Sequence, residues 1–100
     1  MITNILKQKI INNIVESINC CSYTINGESK RKQIFRIISD EKSFNVKVRF
    51  DDSDEGEIEN LKILDLDNDV ILINDNKFNK PSNKIIFVSF NFNDIVEVID

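Results

Sequence analysis

Apolar residues recur at every fourth position from Ile2 to Ile18, which is the spacing of one face of an α-helix. Thr3 or Asn4 is placed to cap its first turn. The pattern predicts an amphipathic helix over residues 1–19. Because β-branched isoleucine lowers intrinsic helix propensity, we expect this helix to depend on docking against the rest of the chain.

After the helix the apolar period falls from four to two, which is typical of β-strands. Apolar and polar residues alternate strictly in Phe44 to Phe50. In the predicted strand from Lys84 to Phe92, one side would carry Ile86, Val88, Phe90 and Phe92, and the other Ile85, Phe87, Ser89 and Asn91. We expect one face of each strand to be packed and the other to be open to solvent. The aromatic residues Tyr23 and Phe35 are interpreted as core or edge residues rather than as base-stacking platforms. A strand is predicted from Gln33 to Ser39, and its packed face would hold Phe35 and Ile37. Arg36 would then share the open face with the basic residues of the next strand.

The stretch from Ile58 to Asn74 has two apolar runs around an Asp-Asn-Asp turn, and it predicts a β-hairpin. The apolar parity changes between Ile63 and Leu64, which predicts a β-bulge there. The second run, Val70 to Ile73, is expected to be a strand buried on both faces.

Tight turns at Asn26-Gly27 and at residues 40–42 connect further short strands, and no second helix is available for a parallel crossover. The predicted fold is one α+β domain over residues 1–100. A helix at 1–19 would pack on a strongly bent antiparallel sheet, or on a small Sm- or SH3-like β-barrel of five to six strands, at 22–99. The segment Asp94–Ile99 fits either a closing strand or a turn of helix.

The composition is that of a folded, soluble domain, with 41% apolar and 30% charged residues in 100. No apolar run approaches the ~20 residues of a membrane span, and the first twenty residues lack a signal-peptide core, so we expect a cytoplasmic protein without membrane contact. Ile, Asn and Lys dominate and Ala is absent, which favours an A+T-rich genome such as that of a bacterium, its phage or another mobile element.

The sequence does not favour an enzyme. It has no His, no glycine-rich phosphate loop and no nucleophile elbow, and the adjacent Cys20 and Cys21 have no base partner in sequence. No metal site or cofactor is expected either. Calcium-loop alignments fail because Lys62 falls at the position of the last carboxylate in one and Val70 at the glycine position in the other.

The net charge of −4 conceals a strong asymmetry, because residues 1–50 carry +5 and residues 51–100 carry −9. Whether the halves form separate faces is open, but one acidic and one basic patch are permitted. The acidic candidates for partner binding are Asp51, Asp52, Asp54, Glu55, Glu57, Glu59, Asp67 and Asp69. The basic candidates for nucleic-acid binding are Lys30, Arg31, Lys32, Arg36, Lys47 and Arg49.

The order of features from Val46 onward resembles the YolD-like family of small β proteins. The strand Val46–Phe50 precedes an acidic loop with Gly56, then a strand to Asp65, the Asp-Asn-Asp turn and a further strand. A closing Ile86-Phe87 and Asn93-Asp94-Ile95-Val96-Glu97-Val98 follow. The resemblance covers about the C-terminal half and implies a compact Sm- or SH3-like barrel found in Firmicutes and their phages. It also implies a DNA-damage-response neighbourhood, but no site residues.

Two functions follow as hypotheses. In the first, a small protein-interaction module of a phage or mobile element acts as a regulator or inhibitor, and its acidic surface occupies the basic groove of a nucleic-acid-handling protein. In the second, a small β-barrel of the YolD-like type binds nucleic acid through its basic sheet face. Homodimerisation through an unpaired strand edge is open in both.

Overall fold

The computed structural model describes residues 3–40 and 43–93. In these ranges the fold is α+β, with one N-terminal helix and eight strands that pair antiparallel. The elements are α1 (Asn4–Ser17), β1 (Ile18–Ile25), β2 (Glu28–Gln33), β3 (Arg36–Ser39), β4 (Ser43–Phe50), β5 (Gly56–Asp65), β6 (Val70–Asn74), β7 (Phe78–Lys80) and β8 (Ile86–Asn93).

The predicted helix is confirmed, with Thr3 as its N-cap, because the Thr3 hydroxyl accepts a hydrogen bond from the Leu6 N–H at 3.2 Å. The predicted boundary at residue 19 is wrong, because the helix ends at Ser17 and β1 begins at Ile18, before the predicted start of the sheet at residue 22. The buried stripe of the helix is shorter than predicted: Ile11 is fully buried, whereas Ile5 is 70% exposed and Leu6 is 45% exposed. Only the second half of the helix therefore docks against the sheets.

The strands form two separate antiparallel sheets, so the barrel alternative is wrong, and the eight strands of the described residues exceed the five to six predicted. The larger sheet has the order β2-β1-β5-β6, with β7 also pairing with β5, and the smaller sheet has the order β3-β4-β8. The predicted strand Gln33–Ser39 is divided at Ile34 and Phe35, where the chain leaves β2 in one sheet and enters β3 in the other. Ile34 and Phe35 are therefore the connection between the two sheets at this point of the chain.

The Asn26-Gly27 turn is confirmed as the two-residue loop of the β1–β2 hairpin. Both residues have positive φ, 51° and 81°, as the turn that matches strand twist requires. The loop is fastened to the start of β5, because the Asn26 N–H donates to the Glu57 carbonyl and the Asn26 Oδ1 accepts from the Glu57 N–H, each at 2.9 Å.

The central hairpin is confirmed as β5–β6, and its pairing shifts register between Ile63 and Leu64, as predicted. The pairing of β5 with β1 also shifts register, and one of these shifts lies at Asn60, which has a φ of 56°. The expectation that Val70–Ile73 is buried on both faces is wrong. Val70 is 48% exposed and Ile73 is 62% exposed, because β6 pairs only with β5 in the larger sheet.

The inner faces of both sheets enclose one apolar core. Phe50 is fully buried in it and contacts rings from two strands of the larger sheet, Tyr23 of β1 edge-on at 5.1 Å and Phe78 of β7 at 5.9 Å between centroids. The alternation predicted for β4 and β8 is confirmed, since Val46, Val48 and Phe90 face this core. The molecule is elongated, 47 × 23 × 22 Å, with a radius of gyration of 15.1 Å, against about 13 Å for a compact chain of this length.

The prediction for Asp94–Ile99 lies outside the described residues, as do two of the three residues of the predicted 40–42 turn. In the described part of the chain, no helix has the length and apolar character needed to cross a membrane.

Candidate functional site

Three of the six basic candidates share the outer face of the smaller sheet. Arg36 on β3 lies directly opposite Lys47 on β4, and Arg49 follows two residues later on the same face of β4. On the neighbouring β8, Ser89 lies opposite Lys47, and its hydroxyl is 3.4 Å from the Lys47 Nζ. The predicted proximity of Arg36 to Lys47 and Arg49 is therefore confirmed. We call this surface, with its aromatic residues described next, the basic face.

Two aromatic rings accompany these cations. Phe87 lies opposite Arg49 on the outer side of β8, and its ring centroid is 5.2 Å from that of Phe35. The rings are 50% and 48% exposed, respectively. The Arg36 guanidinium carbon is 5.7 Å from the Phe35 ring centroid, within the range of a cation–π interaction. The basic face therefore combines positive charge with exposed aromatic surface.

The placement of Phe35 on the packed face together with Ile37 is wrong. Ile34 and Ile37 pack against the core, whereas Phe35 and Arg36 are exposed between them. Since Phe35 belongs to neither β2 nor β3, strict alternation does not hold at this position. The sequence contained a signal for this arrangement, because Ile34 and Ile37 are three positions apart, a spacing that regular alternation cannot place on one face.

The Lys30-Arg31-Lys32 triplet lies on β2, at the edge of the larger sheet, and does not act as one patch. Lys30 and Lys32 pair with Tyr23 and Cys21, whereas Arg31 projects to the opposite side of the sheet. The Arg31 guanidinium donates to the Asn68 side chain at 3.2 Å.

Lys32 forms an ion pair in the interior with Asp54, which is 7% exposed. The Lys32 Nζ is 2.5 Å from the Asp54 Oδ2, donates to the Arg49 carbonyl at 2.8 Å and lies 4.4 Å from the Phe50 ring centroid. The Asp54 carboxylate also accepts from the Tyr23 hydroxyl at 3.3 Å. Burial, with the neighbouring Asp54 charge, raises the pKa of Tyr23 to about 12. The ion pair joins β2 to the loop between β4 and β5, the hydrogen bond to the Arg49 carbonyl joins β2 to β4 of the smaller sheet, and neither charged side chain lies on an open surface.

The other acidic candidates between β4 and β5 lie on the surface beside the basic face. Asp51 Oδ1 accepts from the Ser53 hydroxyl and N–H, and these hydrogen bonds lower the Asp51 pKa. The second Asp51 oxygen is 4.0 Å from the Arg49 guanidinium. Asp52 and Glu55 are exposed.

Glu57 and Glu59 lie on β5, and one cation, Lys77, bridges them at 3.2 and 3.4 Å. Hydrogen bonding to Glu57 is the largest cause of a raised Lys77 pKa. These two carboxylates are thus already paired within the chain.

Asp67 and Asp69 lie at the far end of β5, in the β5–β6 turn. Asp65, which was not a candidate, organises this turn because its Oδ1 accepts the N–H groups of Asp67 and Asp69, each at 2.9 Å. The three carboxylates have oxygens within 4.8 Å of one another. Since β5 has ten residues, about 30 Å of strand separates this turn from the loop after β4. The acidic candidates therefore lie in separate places.

The two cysteines are free thiols in different environments: Cys20 is partly exposed and Cys21 is fully buried. Burial raises the pKa of Cys21 to about 12, which is the opposite of what a reactive thiol requires.

No family model, curated protein or solved structure matches this chain. The resemblance to YolD-like proteins therefore stays a prediction.

Proposed function

We propose that this protein binds nucleic acid through the basic face of its smaller sheet. The observation that carries the proposal is the convergence of Arg36, Lys47 and Arg49 on one outer sheet face in adjacent register. Cations at this spacing can contact successive phosphates, and the release of phosphate counterions supplies the affinity.

The acidic-surface inhibitor is the less favoured alternative, because its carboxylates are divided among separate places. Asp54 is buried against Lys32, and Lys77 pairs with both Glu57 and Glu59. The remaining acidic groups lie in the loop after β4 and in the distant β5–β6 turn. A surface that mimics the phosphate backbone needs a contiguous row of unpaired charge.

The test is the double charge reversal Lys47→Glu/Arg49→Glu, measured by fluorescence anisotropy with a labelled oligonucleotide. We expect the affinity to fall roughly tenfold or more, because two phosphate contacts become repulsive. The matched control is Lys9→Glu/Lys30→Glu, which changes the net charge equally at exposed positions on α1 and β2. Equal losses in the two variants would show that only net charge matters and would contradict the proposal.

The inhibitor alternative is tested by reversal of the exposed Asp52 and Glu55 to Lys. If the acidic surface binds a basic protein partner, this variant should abolish the capture of that partner. If the basic face binds nucleic acid, the same variant should leave that binding intact or strengthen it. Asp54 is omitted from this variant, because a reversal there would place two cations side by side in the interior.

A further inference from the structure

The exposed ring pair Phe35–Phe87 is not explained by the core. Phe44 and Phe92, also on the smaller sheet, stack nearly parallel at 5.1 Å, with Phe44 2% exposed. Phe35 and Phe87 instead leave about half their surface in solvent, on the face that carries the cations. Single exposed apolar side chains are common, but a paired set among three cations indicates a binding surface.

We propose that the Phe35–Phe87 pair is a base-stacking platform and that the ligand of the basic face is single-stranded DNA; this inference rests on the proposed function. Bases present a π-face to an aromatic ring only when they are unpaired, whereas the rings cannot reach the stacked bases of a duplex. The cations stand beside the rings: Arg36 is next to Phe35 in sequence, and Arg49 is opposite Phe87. One strand can therefore place its phosphates on the cations and its bases on the rings.

The surroundings of the rings favour DNA over RNA. Ile38 on β3 is 50% exposed, and alternation along β3 places it on the side of the sheet that carries Arg36. This side chain offers apolar contact to the methyl group of thymine, which uracil lacks.

The platform is tested with Phe35→Leu and Phe87→Leu in the full chain, with an oligothymidylate of about twelve nucleotides and a duplex of equal length. Leucine retains apolar surface but removes the π-face, and both positions are half exposed, so the fold is retained. We expect each variant to lose about tenfold in affinity for the single strand and to leave duplex affinity unchanged. The matched control is Val70→Ala, a 48% exposed apolar residue without a ring on β6 of the larger sheet, which should leave the single-strand affinity unchanged.

A second measurement does not depend on any variant. An oligonucleotide with abasic sites has the same phosphates but no bases, and the wild-type protein should bind it about as weakly as Phe35→Leu binds the intact strand. An oligouridylate of the same length should bind more weakly than the oligothymidylate.

The outcomes separate this inference from the proposed function. If the wild-type chain binds neither strand nor duplex, the proposed function itself fails. If it binds both equally and the leucine variants change nothing, the basic face binds nucleic acid but the platform is wrong. Equal or tighter binding of the oligouridylate would overturn the assignment to DNA. A wild-type dimer that Phe87→Leu dissociates, without effect on DNA affinity, would assign the rings to a contact between two copies.

Discussion

At the scale of single residues, the Lys32–Asp54 pair is the interaction whose loss should be most costly. Their side chains are only 18% and 10% exposed, and the carboxylate also accepts the Asp51 N–H at 3.0 Å. Lys32→Met leaves a buried carboxylate without its cation, so we expect the free energy of unfolding to fall by about 3–5 kcal/mol in urea denaturation. Lys77→Met, which removes an exposed cation from Glu57 and Glu59, should cost far less, because solvent screens that pair.

Equal costs for these two lysine variants would contradict this account of the interior. The double variant Lys32→Met/Asp54→Leu is an independent check. Because it removes both charges together, it should be more stable than Lys32→Met alone.

Two buried residues should make stability depend on alkaline pH. Burial raises the pKa of Cys21 from 9.0 to about 12 and, with the Asp54 charge, that of Tyr23 from 10.0 to about 12. In both groups the folded state favours the neutral form. The stabilisation is therefore fully present below about pH 9 and is lost as the pH rises towards 12. Tyr23 alone should account for about 2 kcal/mol of this loss at pH 12.

The measurement is urea denaturation at successive pH values, with Tyr23→Phe as the test variant. Phenylalanine keeps the ring but cannot ionise, so the decline in stability above pH 10 should be shallower than in the wild-type protein. An unchanged slope would mean that Tyr23 is not buried against Asp54.

At the scale of elements, the contact between the β1–β2 loop and the start of β5 makes Gly56 irreplaceable. Gly56 has a φ of 136°, and an added Cβ would lie 2.3 Å from the Asn26 Nδ2, whose side chain is held by the Glu57 N–H. Gly27 also has a positive φ, but a Cβ there would meet nothing within 4 Å. We expect Gly27→Ala to cost about 1 kcal/mol and Gly56→Ala about 2–4 kcal/mol in urea denaturation.

Gly27→Ala is the matched control, because it has backbone strain without the clash. Equal costs for the two variants would show that the Asn26 side chain moves aside freely and does not fasten the loop to β5.

Much of the fold was predictable because local chemistry determines it. The Thr3 cap, the Asn26-Gly27 turn and the bulge at Ile63–Leu64 each follow from residues within a few positions of one another. The division of the strands into two sheets was not predictable in this way, because it depends on which strands pair across the chain. The prediction that β6 is buried on both faces failed for the same reason. Its apolar run is typical of a central strand, and only the sheet order shows that β6 is an edge strand.

At the scale of the whole molecule, the asymmetry between a basic and an acidic half does not become two faces. Lys32 from the first half pairs with Asp54 from the second, and Asp51 lies 4.0 Å from Arg49. The basic face could be predicted in part, because alternation along β4 places Lys47 and Arg49 on one side. Its aromatic pair could not, because Phe35 reaches Phe87 only where the chain crosses from one sheet to the other.

The salt dependence of binding should report how many cations of the whole molecule contact DNA. If Arg36, Lys47 and Arg49 each contact one phosphate of a single strand, a plot of log affinity against log salt concentration should have a slope of about −2. Lys47→Gln should make the slope shallower by about 0.7, whereas Lys30→Gln, on the edge strand of the other sheet, should leave it unchanged. The measurement is a salt titration of anisotropy with the oligothymidylate. A slope steepened to about −4, with Lys30→Gln reducing it, would instead extend the interface to β2.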